Sequence, residues 1–523
     1  MISPVNDSPV ARTAEGGVSD QSSRLQGRCP SIRTTVVLLA IIVAVGTGLR
    51  LHLLGEKNFW LDEGISIWLA TLPWSRFVRV VWVPELHFNM VLYYTLLRGW
   101  WHFGNTEFAV RSLSLLFGVA AIPAIYKLGQ RLFSAETGLI AAALLAAHSF
   151  HIRFSQEARG YTLEVLLLIL STFLFCRIND FPSRKRYWIG YVVASALAVY
   201  CHPFAVLVVG SHWVAIGVAR LRAVGVRAVT SIVVGLGLLL APLAVYILVE
   251  RDQGLTWIPR PTLMFFLGTM RQLTGSGDVA RTVSSLLLTL LYGVSWAIAL
   301  WGTYLRRRAD LSKNEWFAIR LTLLWIVLPI ATTLLVSLLV KPLFFSRYLL
   351  MCVPAMVLLA AQGLVTFANS LYRRKVGLAI ATALMVSLSL VETNRFFQTF
   401  PSYGHHWRAV VHHILTKEQP GDAVCISMGL EPFEYYVRRE TQWGGQQPNV
   451  SFPPEIGVGD RGFEPGRVLE QASSGRRRVW LVFRSEEETR VRASVPQHLR
   501  PVEETVFPGS KGGELRIVLY ERR

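Results

Sequence analysis

Two adjacent carboxylates, Asp62 and Glu63, stand within Asn58-Phe59-Trp60-Leu61-Asp62-Glu63-Gly64, a few residues beyond a long apolar run. A carboxylate at a membrane surface can take a proton from an attacking hydroxyl, and Arg, Lys or His nearby can hold a phosphate and stabilise the charge growing on it as it leaves. The plainer reading is a solvated acidic loop framed by interfacial aromatics, Trp60 and Trp68. Four further stretches carry the complementary groups. They are His151-Ile152-Arg153-Phe154-Ser155-Gln156-Glu157-Ala158-Arg159-Gly160-Tyr161, Tyr200-Cys201-His202-Pro203-Phe204, Thr256-Trp257-Ile258-Pro259-Arg260-Pro261 and Lys341-Pro342-Leu343-Phe344-Phe345-Ser346-Arg347-Tyr348. His87 and Asn89 follow the acidic pair in its own loop. Each has a structural alternative: Arg159 and Arg347 as snorkelling cations, His202 as a buried hydrogen-bonded residue, Trp257 as an interfacial anchor.

The elements that must position these residues are membrane spans. The chain has 523 residues, 52% hydrophobic and 17% charged, and a mean hydropathy of +0.40. Apolar runs of about 20 residues recur along it, which indicates a polytopic α-helical membrane protein. Spans are expected near 34–54, 106–128, 136–150, 159–177, 187–202, 203–220, 229–249, 283–305, 319–340, 346–369 and 375–393, about eleven, with 12 or 13 as the alternative. The net charge of +19 lies largely in short connections. Those with Arg24, Arg28 and Arg33, with Lys127 and Arg131, with Arg184 to Arg186, with Arg220 to Arg227, with Arg306 to Arg308 and with Arg373 to Lys375 alternate along the chain. By the positive-inside rule they are cytoplasmic. The candidate groups then share the exoplasmic face: 55–105, 151–158, 201–204, 250–282, 341–346 and everything after 393. Residues 86–103 are read as an amphipathic juxtamembrane or re-entrant segment on the exoplasmic side, a twelfth span being the alternative.

Residues 1–33 read as a disordered cytoplasmic tail, 34–393 as the transmembrane domain with a catalytic first outer loop at 55–105, and 394–523 as a small exoplasmic α/β domain. In the last, Ala423–Ser427, Val479–Phe483 and Leu515–Tyr520 read as strands and Trp407–Leu415 as a helix. His405-His406 and His412-His413 read as surface residues. The five cysteines show no metal spacing. No metal site and no obligatory cofactor are expected, a divalent cation being left open. Nucleic acid is excluded as a partner, since no basic groove with interleaved aromatics stands out.

These pieces resemble the GT-C polyprenyl-phosphate glycosyltransferases, specifically glycosyltransferase family 39, which includes protein O-mannosyltransferases and the lipid A aminoarabinose transferases. The matching residues are Trp60-Leu61-Asp62-Glu63, His87 with Val91-Leu92-Tyr93-Tyr94, Glu107-Phe108-Ala109-Val110-Arg111-Ser112-Leu113, Ser155 to Tyr161, Tyr200 to Phe204, and Ser346-Arg347-Tyr348-Leu349. Trp407-Arg408 and Pro420-Gly421-Asp422 resemble the start of the outer domain of bacterial members. The resemblance implies inverting transfer of a sugar from a polyprenyl phosphate to an unidentified acceptor: a protein hydroxyl, a glycolipid or a polysaccharide. Asp62 would be the general base, Glu63 a second acid orienting the acceptor, and Arg159 and Arg347 phosphate contacts, with His87, Asn89, Tyr161 and His202 beside the donor. Many relatives carry Pro-Pro-Leu-Tyr-Tyr where this chain has His87-Phe88-Asn89-Met90-Val91-Leu92-Tyr93-Tyr94, which bears on donor geometry and sugar identity. The rival readings are a transporter or flippase of lipid-linked sugars and a polysaccharide ligase or polymerase acting on diphosphate-linked oligosaccharides. The protein is expected in the inner or plasma membrane, with its N-terminus cytoplasmic.

Overall fold

The computed structural model describes residues 31–82, 90–224, 226–249, 258–276, 281–308, 313–399, 406–427, 429–441, 465–507 and 514–523. His87, Asn89, Trp257, His405 and nearly all of the expected N-terminal tail lie outside them. The described chain is mainly helical. In order run α1 (Ile32–Leu51), α2 (Leu61–Thr71), α3 (Trp74–Trp82), α4 (Val91–Trp100), α5 (Glu107–Leu132), α6 (Ala135–Ala147), α7 (Ser149–Ser155) and α8 (Tyr161–Asp180). Then follow α9 (Lys185–Cys201), α10 (Ala205–Val224), α11 (Val226–Val249), α12 (Leu263–Leu273), α13 (Val283–Arg308), α14 (Lys313–Leu339), α15 (Val353–Asn369) and α16 (Arg374–Thr399).

A helix stands at each of the eleven positions expected to span. Seven of the described helices are long and apolar enough to cross a bilayer, or eight if α6 and α7 form one bent span. The protein is an integral multi-pass membrane protein. Polar side chains cap the starts: Ser31, Thr106 and Ser134 each accept from a backbone amide three residues on, satisfying donors that lipid would leave bare. α5 packs closely on α6 because Gly129 faces Gly138. A Cβ on Gly129 would lie 2.8 Å from the Gly138 Cα, the small-residue contact that lets membrane helices approach.

The expected outer loop at 151–158 differs. His151 to Ser155 belong to α7, which leaves α6 at 62°. His148 makes the break, with an extended backbone and a ring that caps α7 by accepting from the His151 amide. The segment expected at 86–103 is α4 followed by a short 3-10 turn over Trp101–Phe103, in its part from Met90 onward.

After residue 405 come α17 (Trp407–Lys417), β1 (Ala423–Ile426), α18 (Leu430–Thr441), α19 (Pro465–Ser473), β2 (Arg478–Arg484), α20 (Glu488–Ser494), β3 (Leu499–Phe507) and β4 (Leu515–Arg522). The sheet order is β1-β2-β4-β3, with β1 parallel to β2 and the other pairs antiparallel. Period-two alternation gives the sheet two apolar faces. Val424, Ile426, Trp480 and Val482 share a core with α17, α18 and the membrane helices, while Ala423, Cys425, Val479 and Leu481 pack with Leu469 of α19 and Val491 of α20. β3 was not expected as a strand. Its Leu-Arg-Pro-Val-Glu-Glu-Thr-Val-Phe sequence is polar, carries Pro501, and suits an edge.

Candidate active site

The acidic pair opens α2, and its two carboxylates go opposite ways. Glu63 is fully buried. Arg111 of α5 meets it with two parallel bonds of 2.8 Å, Nε to Oε1 and Nη2 to Oε2. The Ala158 amide donates to Oε1 at 2.9 Å and the Trp60 amide to Oε2 at 3.4 Å. Burial alone would raise the Glu63 carboxyl. Arg111, Lys57 and the Ala158 amide outweigh it and hold the group below the usual carboxylate range. Arg111 also donates to the carbonyls of Leu54, Lys57 and Asn58, and its guanidinium lies 4.8 Å from the centre of the Phe59 ring. Glu63 thus ties the loop to α5, with both oxygens occupied and none of the side chain exposed.

Asp62 stays partly open. Its Oδ2 lies 3.0 Å from Nη1 of Arg347 and 3.9 Å from Nη2 of Arg159. Arg159 reaches this point from the turn before α8 and donates to the Tyr94 hydroxyl at 2.9 Å. Arg347 arrives on the 3-10 turn Ser346–Cys352, its guanidinium flanked by Trp60 at 5.7 Å, Phe345 at 5.2 Å and Tyr348 at 5.6 Å. Tyr161 and His202 complete an aromatic floor. The His202 ring lies 6.1 Å from Tyr161 and 5.1 Å from Tyr348, and Arg159 lies 6.0 Å from the Tyr161 ring.

Five of the residues expected at the site, Asp62, Arg159, Tyr161, His202 and Arg347, are thus brought together from four separate stretches of chain. Glu63 turns away, and His87 and Asn89 lie outside the described residues. Beside Arg347 opens a cleft of about 430 Å³ between α7, α12 and the Ser346 turn, lined by Trp60, Phe154, Thr269, Gln272 and Arg347 among others. Aromatic walls with a few polar groups, two arginines (Arg153 and Arg347) and one carboxylate, Glu157, suit a polar ligand with an apolar tail. Sequence reasoning missed Tyr94 and Lys57. Tyr94 was visible only as part of a Tyr93-Tyr94 pair. Lys57 is buried, and burial pulls its ammonium down to about 8 against the pull of Glu157 and Glu63. Its side chain gave no signal in an otherwise ordinary loop. Among the described residues no cluster of three or more His, Cys, Asp or Glu is placed to hold a metal ion.

Residues 91–248 match the family model of dolichyl-phosphate-mannose-protein mannosyltransferases. No curated protein sequence matches the chain. Solved structures do. ArnT from Cupriavidus metallidurans in the apo state is 13% identical over 92% of this chain and 97% of its own, with a TM-score of 0.57. The same protein bound to undecaprenyl phosphate gives 13%, 94%, 98% and 0.56 in the same order. The Archaeoglobus fulgidus oligosaccharyltransferase tethered to an acceptor peptide with the NVT sequon is 12% identical over 88% of this chain and 70% of its own, with a TM-score of 0.55. The chain has the GT-C fold of these membrane enzymes.

Proposed function

We propose that this chain, a multi-pass membrane protein of the GT-C glycosyltransferase fold, moves a sugar from a polyprenyl-phosphate donor to an acceptor at the outer face of the membrane. The observation that carries the reading is the meeting of Asp62, Arg347 and Arg159 beside an aromatic cleft. The family matched by residues 91–248 and the similar solved structures named above are transferases, which favours transfer over the transport of lipid-linked sugars. One of those structures holds undecaprenyl phosphate, which supports a lipid-linked donor.

The donor phosphate engages the guanidiniums of Arg159 and Arg347, with Tyr161, His202 and Tyr348 beneath it. A phosphate is a better partner for these cations than a lone carboxylate, since it offers more oxygens to their planar forks. As the phosphate seats, cationic charge is drawn from Asp62 and the carboxylate becomes a stronger base. Asp62 then takes the proton from the acceptor hydroxyl. The oxygen attacks the anomeric carbon from the face opposite the phosphate, forming the new C–O bond. The bond from that carbon to the phosphate oxygen breaks, and its electron pair leaves with the polyprenyl phosphate, so the configuration inverts. Phosphate leaves near neutral pH without a general acid, so no cofactor is obligatory, and a divalent cation is compatible with the step. A protein hydroxyl, a glycolipid and a polysaccharide all satisfy this chemistry.

In this reading residues 34–393 form the transferase domain and 394–523 an exoplasmic domain, with the N-terminus cytoplasmic. The alternation of basic connections supports that orientation. So do the contacts that place α18 against α2, on the same side as the Asp62 site. The test is purified protein in nanodiscs with a polyprenyl-phosphate sugar and candidate acceptors, following release of polyprenyl phosphate. Asp62→Asn is expected to lower transfer by about 100-fold or more, the usual range for a lost general base, with donor binding kept. Near-normal transfer by that variant would overturn the assignment.

A further inference from the structure

The loop that presents Asp62 is held from two sides. The membrane helices hold its carbonyls, through Arg111 on Leu54, Lys57 and Asn58. Its Phe59 amide, three residues before Asp62, is held by the C-terminal unit: it donates to the Tyr436 hydroxyl of α18 at 2.9 Å. Phe59 and Tyr436 are fully buried, so water cannot replace this bond. The hydroxyl's own proton goes to Oε1 of Glu107 at 3.0 Å. A carboxylate can only accept, so Glu107 turns the Tyr436 lone pair toward Phe59. Arg408 and Arg439, also from the C-terminal unit, pair with the same carboxylate. One turn earlier on α18, Pro432 sits on Gly64: a Cβ there would meet Pro432 Cδ at 2.4 Å and its nitrogen at 2.6 Å.

We propose that Tyr436 is a positioning residue for Asp62, so that the C-terminal unit is a working part of the transfer site. It sets the start of α2 through the Phe59 amide, and α2 carries the carboxylate. The inference rests on Asp62 as the base. Removing the hydroxyl leaves a buried amide without its partner, and the loop relaxes away from the geometry that aligns Asp62 with the acceptor.

The test is steady-state transfer by the full-length chain in nanodiscs. Tyr436→Phe is expected to lower kcat about 10-fold, the scale of a small misplacement, with the donor KM unchanged. Tyr435→Phe is the control. Its ring packs on Phe59, and its hydroxyl donates to the Asn105 carbonyl and accepts from Arg439 without touching the backbone between Leu54 and Asp62, so kcat stays near wild type. Should Tyr436→Phe fail to fold, Gly64→Ala serves, since its methyl lifts α18 off α2 and is expected to give the same split between kcat and KM. Equal losses in Tyr435→Phe and Tyr436→Phe, or an unchanged kcat in Tyr436→Phe while Asp62→Asn is inactive, would overturn the inference and leave the base assignment standing. An active Asp62→Asn would remove the base assignment itself.

Discussion

Arg347 donates to Asp62 over 3.0 Å although 285 residues of chain separate them. The contact joins the start of α2 to the turn that opens α15. It places the guanidinium proposed to bind the donor phosphate against the carboxylate proposed as the base.

Arg159 and Arg347 should therefore act mainly on the donor. Replacing either with Ala removes charge-assisted bonds of about 1.5–3 kcal/mol, or roughly 10- to 100-fold in kcat/KM for the lipid donor. Arg347→Lys keeps the charge but loses the planar fork, and should recover only part of the loss. Transfer kinetics with varied donor check this. Arg347→Ala with a normal donor KM would show that the phosphate sits elsewhere.

Glu63 and Arg111 should govern stability rather than chemistry. Both side chains are without exposure. Arg111→Ala leaves the buried Glu63 carboxylate without its guanidinium partner, at a cost of about 3–5 kcal/mol. A matched Glu63→Gln, Arg111→Met pair should lose much less than Arg111→Ala alone. The folded carboxyl lies below its usual range. The stabilisation is therefore complete above the ordinary glutamate range and is lost as pH falls through the lowered folded value. Thermal unfolding in detergent across acidic pH measures it; an Arg111→Ala melting curve like wild type would refute the anchor.

Much of this site was readable before the fold was known. Asp62, Arg159, Tyr161, His202 and Arg347 stood out because ionisable and aromatic groups recurred at the same ends of apolar runs, and lipid makes such groups costly without a role. The split between Asp62 and Glu63 was not readable. Neighbouring residues on a helix point about 100° apart, and only Arg111 on another span decides which of the two is buried. The kink at His148 was hidden too, because the apolar run through 136–150 continues past the capping residue. The parts taken by Glu107 and Tyr436 depend on how the C-terminal unit docks, and no periodicity along the chain carries that.

Glu431 begins the α18 segment seated on Gly64. Burial, then the charges of Glu434 and Asp62, push its carboxyl up to about 7. An unfolded glutamate releases its proton near 4.3. Between those values the folded protein binds the extra proton and the unfolded chain does not, so stability falls as pH rises across this window and levels off above it. Glu431→Gln has no proton to lose and should flatten that part of the curve. Its advantage over wild type should thus grow from pH 5 to pH 8. Melting temperatures of the two proteins at pH 5, 6, 7 and 8 measure the difference, and parallel curves would place the titrating group elsewhere. The sign also bears on transfer. Above about pH 7 an ionised Glu431 adds negative charge near Asp62. Wild-type transfer should then depend on pH in this range more steeply than transfer by Glu431→Gln.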